Sequence, residues 1–399
     1  MIKFDRSNGK KNGLIEFNIH TYPDFGANAE ISTFRAESGI SEYNVMLHST
    51  RLYGSFHEQL EGLHKALHEV EENLFGSRAH AVIKRYFISD AANQTATVEE
   101  LVSEFSPCAV SIVQQQPLDG SKVALWVYLQ EGIPVPQRNG NGTFSYKHND
   151  CTHYWTGYRH MSGGSSEQQT RALLEGYEED LALHKCHIAD NCVRTWFFVR
   201  DIDTNYAGVV RGRRDNFEQM GMTPTTHYIA STGIQGSHAE PGVKVMFDAY
   251  AVKGLKKRQM SYLYAPTHLN PTYEYGVTFE RGVCVEYGDR QQLFISGTAS
   301  IDNHGNVLNV GDIRNQTKRM WENVEALLAE RQHFFDNVVQ MIVYLRDIAD
   351  YQIVKQMHDE RFPNIPKVIV WASVCRPTWL VEMECISIKE SVNPEFAPL

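Results

Sequence analysis

The sequence predicts a mixed α+β fold built as three tandem copies of one unit. Two observations carry this. First, three segments repeat one order of features at one spacing: an amphipathic helix, an apolar strand ending in aspartate, then a second helix. From Gln59 to Asp90 is 31 residues, from Gln169 to Asp201 is 32, and from Gln316 to Asp347 is 31. Such agreement between distant segments marks an internal repeat. Second, each unit closes with two further apolar strands after a helix-breaking proline, at Pro107, Pro224 and Pro366. Helices alternate with strands, yet strands also follow one another as late pairs. That pattern is α+β layering, with helices on one sheet face.

In the first copy, FHEQLEGLHKALHEVEENLF spaces Leu60, Leu63, Leu67, Val70 and Leu74 as a helix does. The strand HAVIKRYFISD follows, then the helix TATVEELVSEF, then the strands CAVSIVQQQ and KVALWVYLQ. The second copy runs SSEQQTRALLEGYEEDLALH, DNCVRTWFFVRD, YAGVVRGRRDNFEQM, HYIASTGIQG and VKVMFDAYAV. The third runs NQTKRMWENVEALLAER, FDNVVQMIVYLRD, DYQIVKQMHDERF, VIVWASVC and WLVEMECISI, with a turn at Arg376-Pro377 between its last two strands. Two stretches, Pro134 to Gly142 and Lys253 to Pro271, have linker composition. They divide the chain into domains at 1–138, 139–258 and 259–399.

Composition narrows the function. No run approaches the roughly 18 to 20 apolar residues of a membrane span. The opening MIKFDRSNGKKNG has no apolar signal core, so a cytoplasmic protein is expected. Seven cysteines, an odd number at irregular spacing, read as reduced thiols. A net charge of −10 argues against nucleic-acid binding, and the one basic run, KGLKKR, reads as solvated linker. The stretch HKCHIADNC does not follow a zinc spacing, and no phosphate-cradling glycine loop joins a strand to a helix. Neither metal nor cofactor is expected.

The last strand holds the chemistry. Strand periodicity puts Glu382 and Glu384 on one face, among residues apolar enough to be buried on both sides. A carboxylate in such surroundings resists ionisation, and a carboxylic acid neutral at physiological pH can act as a general acid. Aligning the three copies separates the two. Glu384 falls opposite Asp248, whereas Glu382 falls opposite Met246, and VALWVYL of the first copy has no carboxylate at either place. Glu384 therefore reads as architecture and Glu382 as the candidate catalytic residue. Arg213 and Arg376 are candidates to hold a substrate carboxylate. Arg346, just before the repeated aspartate, reads as structural. SGTASI ends a strand in small residues, so the backbone from Gly297 through Thr298 and Ala299 to Ser300 could approach a ligand and offer free amides. Cys375 reads as a cleft-lining thiol, because no neighbour in sequence activates it.

The segments LFISGTASIDNHGNV, QTKRMWENVEALLAE, VVQMIVYLRDIADY and VEMECISI together resemble the Rid (YjgF) superfamily, over nearly all of Tyr273 to Glu390. The resemblance implies chorismate-mutase-like α/β layers, a functional glutamate at Glu382, and small-molecule sites in clefts between subunits of a trimer. Three units in one chain then imply an intramolecular pseudo-trimer. Within the superfamily, SGTASI with His304, ASVCRPTWLVEME, RTWFFVRDID with GRRDNF, and NPTYEYGVTFERG look like the chorismatases. This implies cofactor-free release of pyruvate from chorismate, with His304 and Cys375 at the substrate and Arg213 on the family's Gly-Arg turn. Thr378 stands where that family has aspartate, NYAGVV replaces an arginine-rich helix, and the arginine of imine deaminases is missing near Val368. The expected function is a chorismatase-like hydrolase or lyase acting on chorismate or a related enol-ether carboxylic acid, with Glu382 as general acid. The alternatives are an imine or enamine deaminase and a non-catalytic metabolite-binding protein. RNA cleavage, attached to the superfamily by name, fits poorly with the acidic charge. The expected partner is a small carboxylic acid, with no nucleic acid and no membrane. Association of whole chains into a homo-oligomer stays open.

Overall fold

The computed structural model describes residues 15–36, 39–76, 78–102 and 107–399. The stretch MIKFDRSNGKKNG and the end of TATVEELVSEF, residues 103–105, lie outside the described residues.

Each unit is a six-stranded sheet, and all three share one strand order. The first holds β1 (Ile15–Tyr22), β2 (Ala27–Phe34), β3 (Ser41–Ser49), β4 (Ala79–Ile88), β5 (Ala109–Gln114) and β6 (Val123–Glu131), ordered β1-β2-β3-β6-β4-β5. The second holds β7 (Gln137–Gly140), β8 (Thr143–His148), β9 (Cys151–His160), β10 (Cys192–Val199), β11 (Ala230–Gln235) and β12 (Val245–Lys253), ordered β7-β8-β9-β12-β10-β11. The third holds β13 (Met260–Leu263), β14 (Gly282–Glu286), β15 (Arg290–Ala299), β16 (Val338–Leu345), β17 (Lys367–Trp371) and β18 (Val381–Glu390), ordered β13-β14-β15-β18-β16-β17. The helices are α1 (Phe56–Glu69) and α2 (Ala91–Val102) in unit one, and α3 (Ser166–Leu183), the short α4 (Ile188–Asn191) and α5 (Ile202–Gln219) in unit two. Unit three has α6 (Ile313–Ala329) and α7 (Tyr351–Arg361).

Local chemistry explains the helix starts. Ser55 with Glu58 and Ser165 with Gln168 form capping boxes at α1 and α3, and Asp312 caps α6. The expected first helix changes geometry at its end. Val70–Leu74 is π-helical, and the wider turn rotates Leu74 off the apolar stripe into solvent.

Three features differ from the sequence expectation. Each unit opens with a three-stranded meander, most of which the repeat pattern does not reveal. The two linker-like stretches supply edge strands of it, β7 and β13. The late strands are consecutive in the chain but do not pair. β5, β11 and β17 lie parallel to β4, β10 and β16, while β6, β12 and β18 insert antiparallel on the other side. A helical crossover makes the parallel pair, and adjacency in sequence cannot reveal which gap the last strand fills.

The units close into a ring. Gln114 N–H donates to Ser237 O at 3.0 Å between units one and two, and Ser231 N–H donates to Ser296 Oγ at 2.9 Å between two and three. Ser32 Oγ donates to Val339 O at 2.6 Å between one and three. One apolar core joins all three sheets through Trp126, Trp155, Trp196 and Phe294. Ion pairs run through the same centre. Arg85 of unit one reaches Asp248 of unit two at 2.9 Å and Glu384 of unit three at 3.7 Å. Arg290 of unit three pairs with Glu42 of unit one, both fully buried.

Candidate active site

β18 lies between β15 and β16, and Glu382 pairs in register with Ala299 on one side and Tyr344 on the other. Glu382 and Glu384 share the face that meets unit two, but their surroundings differ. Glu384 accepts from Trp196 Nε1 and from Arg194, each at 2.9 Å, and also from Thr232 Oγ1. All three donors belong to unit two. Among the described residues the Glu382 carboxyl has no hydrogen bond, although it is 4% exposed. Burial, then the charge of Glu384, pushes its pKa up to about 8, against the opposing pull of Arg194 and Arg281. The carboxyl lies over Gly297, where a Cβ would come within 2.0 Å of Glu382 Oε1. Any larger residue beneath this acid would have to displace its carboxyl.

Glu382 lines a cavity of about 40 Å³ between units two and three. Unit two supplies Tyr206 and Arg213 from α5 and Gly233 from β11. Unit three supplies Phe279 and Arg281 ahead of β14, Gly297 and Ala299 from β15, and Cys375, Arg376 and Trp379 from the loop before β18. Three guanidinium groups thus surround one acid. Arg213 is buried, with its Nε on Thr278 Oγ1 at 3.1 Å. Arg281 holds Asn270 O at 3.0 Å, and both guanidiniums lie over the Phe279 ring. Arg376 stacks on Trp379, 4.8 Å from the ring centroid. Burial and the nearby Glu382 charge push the Cys375 thiol up to about 12, so it stays protonated and is not a ready nucleophile.

Of the residues singled out in the sequence, Glu382, Arg213, Gly297, Ala299, Cys375 and Arg376 line this cavity. Thr298, Ser300 and His304 do not. Thr298 turns its hydroxyl to Ser296 O, and Ser300 turns its own to Leu308 O. His304 is exposed on the turn after β15, where its N–H donates to Asp302. The amide of Gly297 is not free for a ligand, because it donates to Thr232 Oγ1 at 2.9 Å. Arg213 lies within α5, not on a turn. Gly212 beside it lets α5 press against α3, for a Cβ there would come within 2.6 Å of Glu167 O. Arg346 bridges to Asp203 of unit two at 2.8 Å. The strand facing Glu382 across the cleft is β11, whose Thr232 pairs with Trp196 as Val368 of β17 pairs with Ile342 in unit three. Sequence reasoning missed Tyr206, Phe279, Arg281 and Trp379. All four lay within motifs it quoted: Tyr206 in NYAGVV, Phe279 and Arg281 in NPTYEYGVTFERG, and Trp379 in ASVCRPTWLVEME.

Residues 280–389 match the family model described as endoribonuclease L-PSP. A RutC family protein of Pyrococcus abyssi is 35% identical over 100 residues, which span 25% of this chain and 79% of that protein. The chain belongs to the RutC family. Among other relatives, the 3-aminoacrylate deaminase RutC of Acinetobacter baylyi is 27% identical over 97 residues, covering 24% of this chain and 77% of its own. These matches fall on about one unit, and the RutC-family chain carries three such sheets. A chorismatase crystal structure superposes with a TM-score of 0.61 at 20% identity, covering 77% of this chain and 92% of that one. At that identity the likeness concerns the fold. Among the described residues of this RutC-family chain, no cluster of three metal-ligating side chains occurs, and no helix is long and apolar enough to cross a membrane.

Proposed function

We propose that this protein is a cofactor-free enzyme in which Glu382, neutral at physiological pH, donates a proton to a small anionic carboxylic acid bound between units two and three. The carrying observation is a buried acid, without a hydrogen-bond partner among the described residues and raised to about 8, in a cavity edged by Arg213, Arg281 and Arg376. A carboxylic acid with that pKa donates efficiently near neutrality. The guanidiniums suit a substrate carboxylate.

The substrate we favour is chorismate or a related enol ether, in line with the chorismatase fold. Glu382 protonates the methylene carbon of the enolpyruvyl group, giving an oxocarbenium ion and leaving Glu382 as the carboxylate. Water adds to the cationic carbon and gives its proton to the Glu382 carboxylate, which restores the acid. The resulting hemiketal breaks its ether C–O bond to release pyruvate and an alcohol. The cavity of about 40 Å³ holds one or two waters and is far below the size usual for ligand sites. Substrate entry therefore requires the wall to move. The wall best suited is the loop carrying Cys375, Arg376 and Trp379, which belongs to no strand or helix.

A second reading is favoured by the deaminase among the relatives: hydrolysis of an imine or enamine acid, with Glu382 handling the proton on carbon or water. Incubation with chorismate and a coupled assay for pyruvate tests the first reading. Release above background that disappears in Glu382→Gln supports it. A folded protein that releases no pyruvate but hydrolyses freshly generated 2-aminoacrylate establishes the second reading instead. Inactivity on both, with ligand binding intact, would leave a binding protein.

A further inference from the structure

We propose that Thr232 is a positioning residue for the Glu382 chemistry: its hydroxyl holds the amide of Gly297 and so withholds from Glu382 the backbone donor beneath it. The inference rests on the general-acid reading of Glu382. Pairing of β15 with β18 shifts register between Ile295 and Thr298, so the ladder gives Ser296 and Gly297 no partner on β18. The Gly297 amide left over lies under the Glu382 carboxyl, the group that a Cβ on Gly297 would strike. A carboxylate is a strong acceptor for such an N–H. The amide goes instead to Thr232 Oγ1 of β11, across the boundary between units two and three, at 2.9 Å. The Thr232 methyl lies 3.1 Å from the same Cβ position, so hydroxyl and carboxyl stand at one residue and compete for one donor.

A hydroxyl has one proton to give and two lone pairs to fill. Thr232 gives its proton to Glu384 and accepts from the Gly297 N–H and from Arg194. Because Glu384 can only accept the proton when ionised, the lone pairs are left for Gly297 and Arg194. The hydroxyl is thus fully used, and the Gly297 amide is fixed away from the acid. The surrounding charges make this matter. Arg194 of β10, Arg213 of α5, Arg281 ahead of β14 and Arg376 of the loop before β18 favour an ionised Glu382, and Glu384 opposes it. Cys375 and, on β16, Tyr344 are both held protonated by burial, and Tyr206 of α5 completes the wall. Among so many cations, an N–H donated to the carboxylate would tip Glu382 further toward ionisation, since a hydrogen bond to the charged form lowers a pKa. Thr232 removes that donor.

The test is infrared titration of the Glu382 carboxyl in the full chain, which needs no substrate. The parent is expected to lose its protonated band near pH 8. Thr232→Val, of nearly the same shape without a hydroxyl, is expected to lose it at least about one pH unit lower, because the freed amide turns to the carboxylate. Thr232→Ser is expected to restore the parent midpoint. Trp196→Phe, which takes a donor from Glu384 and leaves Gly297 alone, is expected to keep that midpoint too. Amide exchange in the parent decides the point if Thr232→Val does not fold: protection of Gly297 is expected to be equal on either side of pH 8. A Thr232→Val midpoint at the parent value, a Thr232→Ser midpoint as low as that of Thr232→Val, a Trp196→Phe shift as large, or Gly297 protection gained only above pH 8 would each overturn the proposal. With a parent band near pH 8, those results leave the general-acid reading standing, whereas inactivity on chorismate and on 2-aminoacrylate counts against that reading alone.

Discussion

Glu382 and Glu384 stand two residues apart on one face of one strand, and what surrounds each decides its work. Glu384 is satisfied by Arg194, Trp196 and Thr232, whereas Glu382 faces a cavity with its pKa raised to about 8. The fold favours the neutral form of Glu382. That contribution is fully present below the ordinary glutamate value of 4.5 and is lost as pH rises through about 8. Each pH unit in the window costs about 1.4 kcal/mol. Denaturation of Glu382→Gln, which cannot ionise, should therefore show increasing stability relative to the parent across that window. The same variant should lose at least about 10²-fold in turnover, the usual worth of a general acid. Gly297→Ala should cost about 10²-fold as well, because the new methyl displaces the carboxyl, while circular dichroism stays native. Cys375→Ser should stay within about threefold of parent activity, since its thiol is protonated and acts only as wall. Glu382 was legible in the sequence because the repeat supplied an internal control, Met246, at the same place. Arg281 and Tyr206 were not, because a cleft assembled from α5, the segment before β14 and the loop before β18 leaves no spacing pattern. His304 misled because a family position does not say which way a surface turn points.

At the scale of elements, the helices and the strands ending in Asp90, Asp201 and Asp347 followed from periodicity and spacing. The meander strands did not, because β7 and β13 are short edge strands written in linker residues. The order within the sheet was also hidden, because insertion of β18 between β15 and β16 is a tertiary choice. That insertion puts Glu384 against β10 of unit two. Arg194→Met should therefore destabilise the protein by about 3 to 5 kcal/mol in urea denaturation, since it strips a buried carboxylate of its partner. Pairing it with Glu384→Leu should recover most of the loss. A double variant no better than Arg194→Met alone would show that the pair contributes through something other than charge.

At the scale of the whole molecule, three units share one core and exchange buried ion pairs, so none is complete alone. Unfolding followed by far-ultraviolet dichroism and by tryptophan fluorescence should give one coincident transition, and separable transitions would contradict the shared core. The three clefts of the ring have diverged. One carries Glu382, one is a large cleft of about 760 Å³ between units one and two, and the third is bridged by Lys367 on Glu30 and His48 on Lys367 O. A lone β18 strand would leave Glu382 in water. It is the closure of unit two over unit three that removes the water and makes the residue an acid. The most direct test is titration of the Glu382 carboxyl in the intact protein by infrared difference spectroscopy against Glu382→Gln. A protonated carbonyl band that persists through neutral pH and disappears near pH 8 is the result predicted here. A band already lost near pH 4.5 would contradict the account.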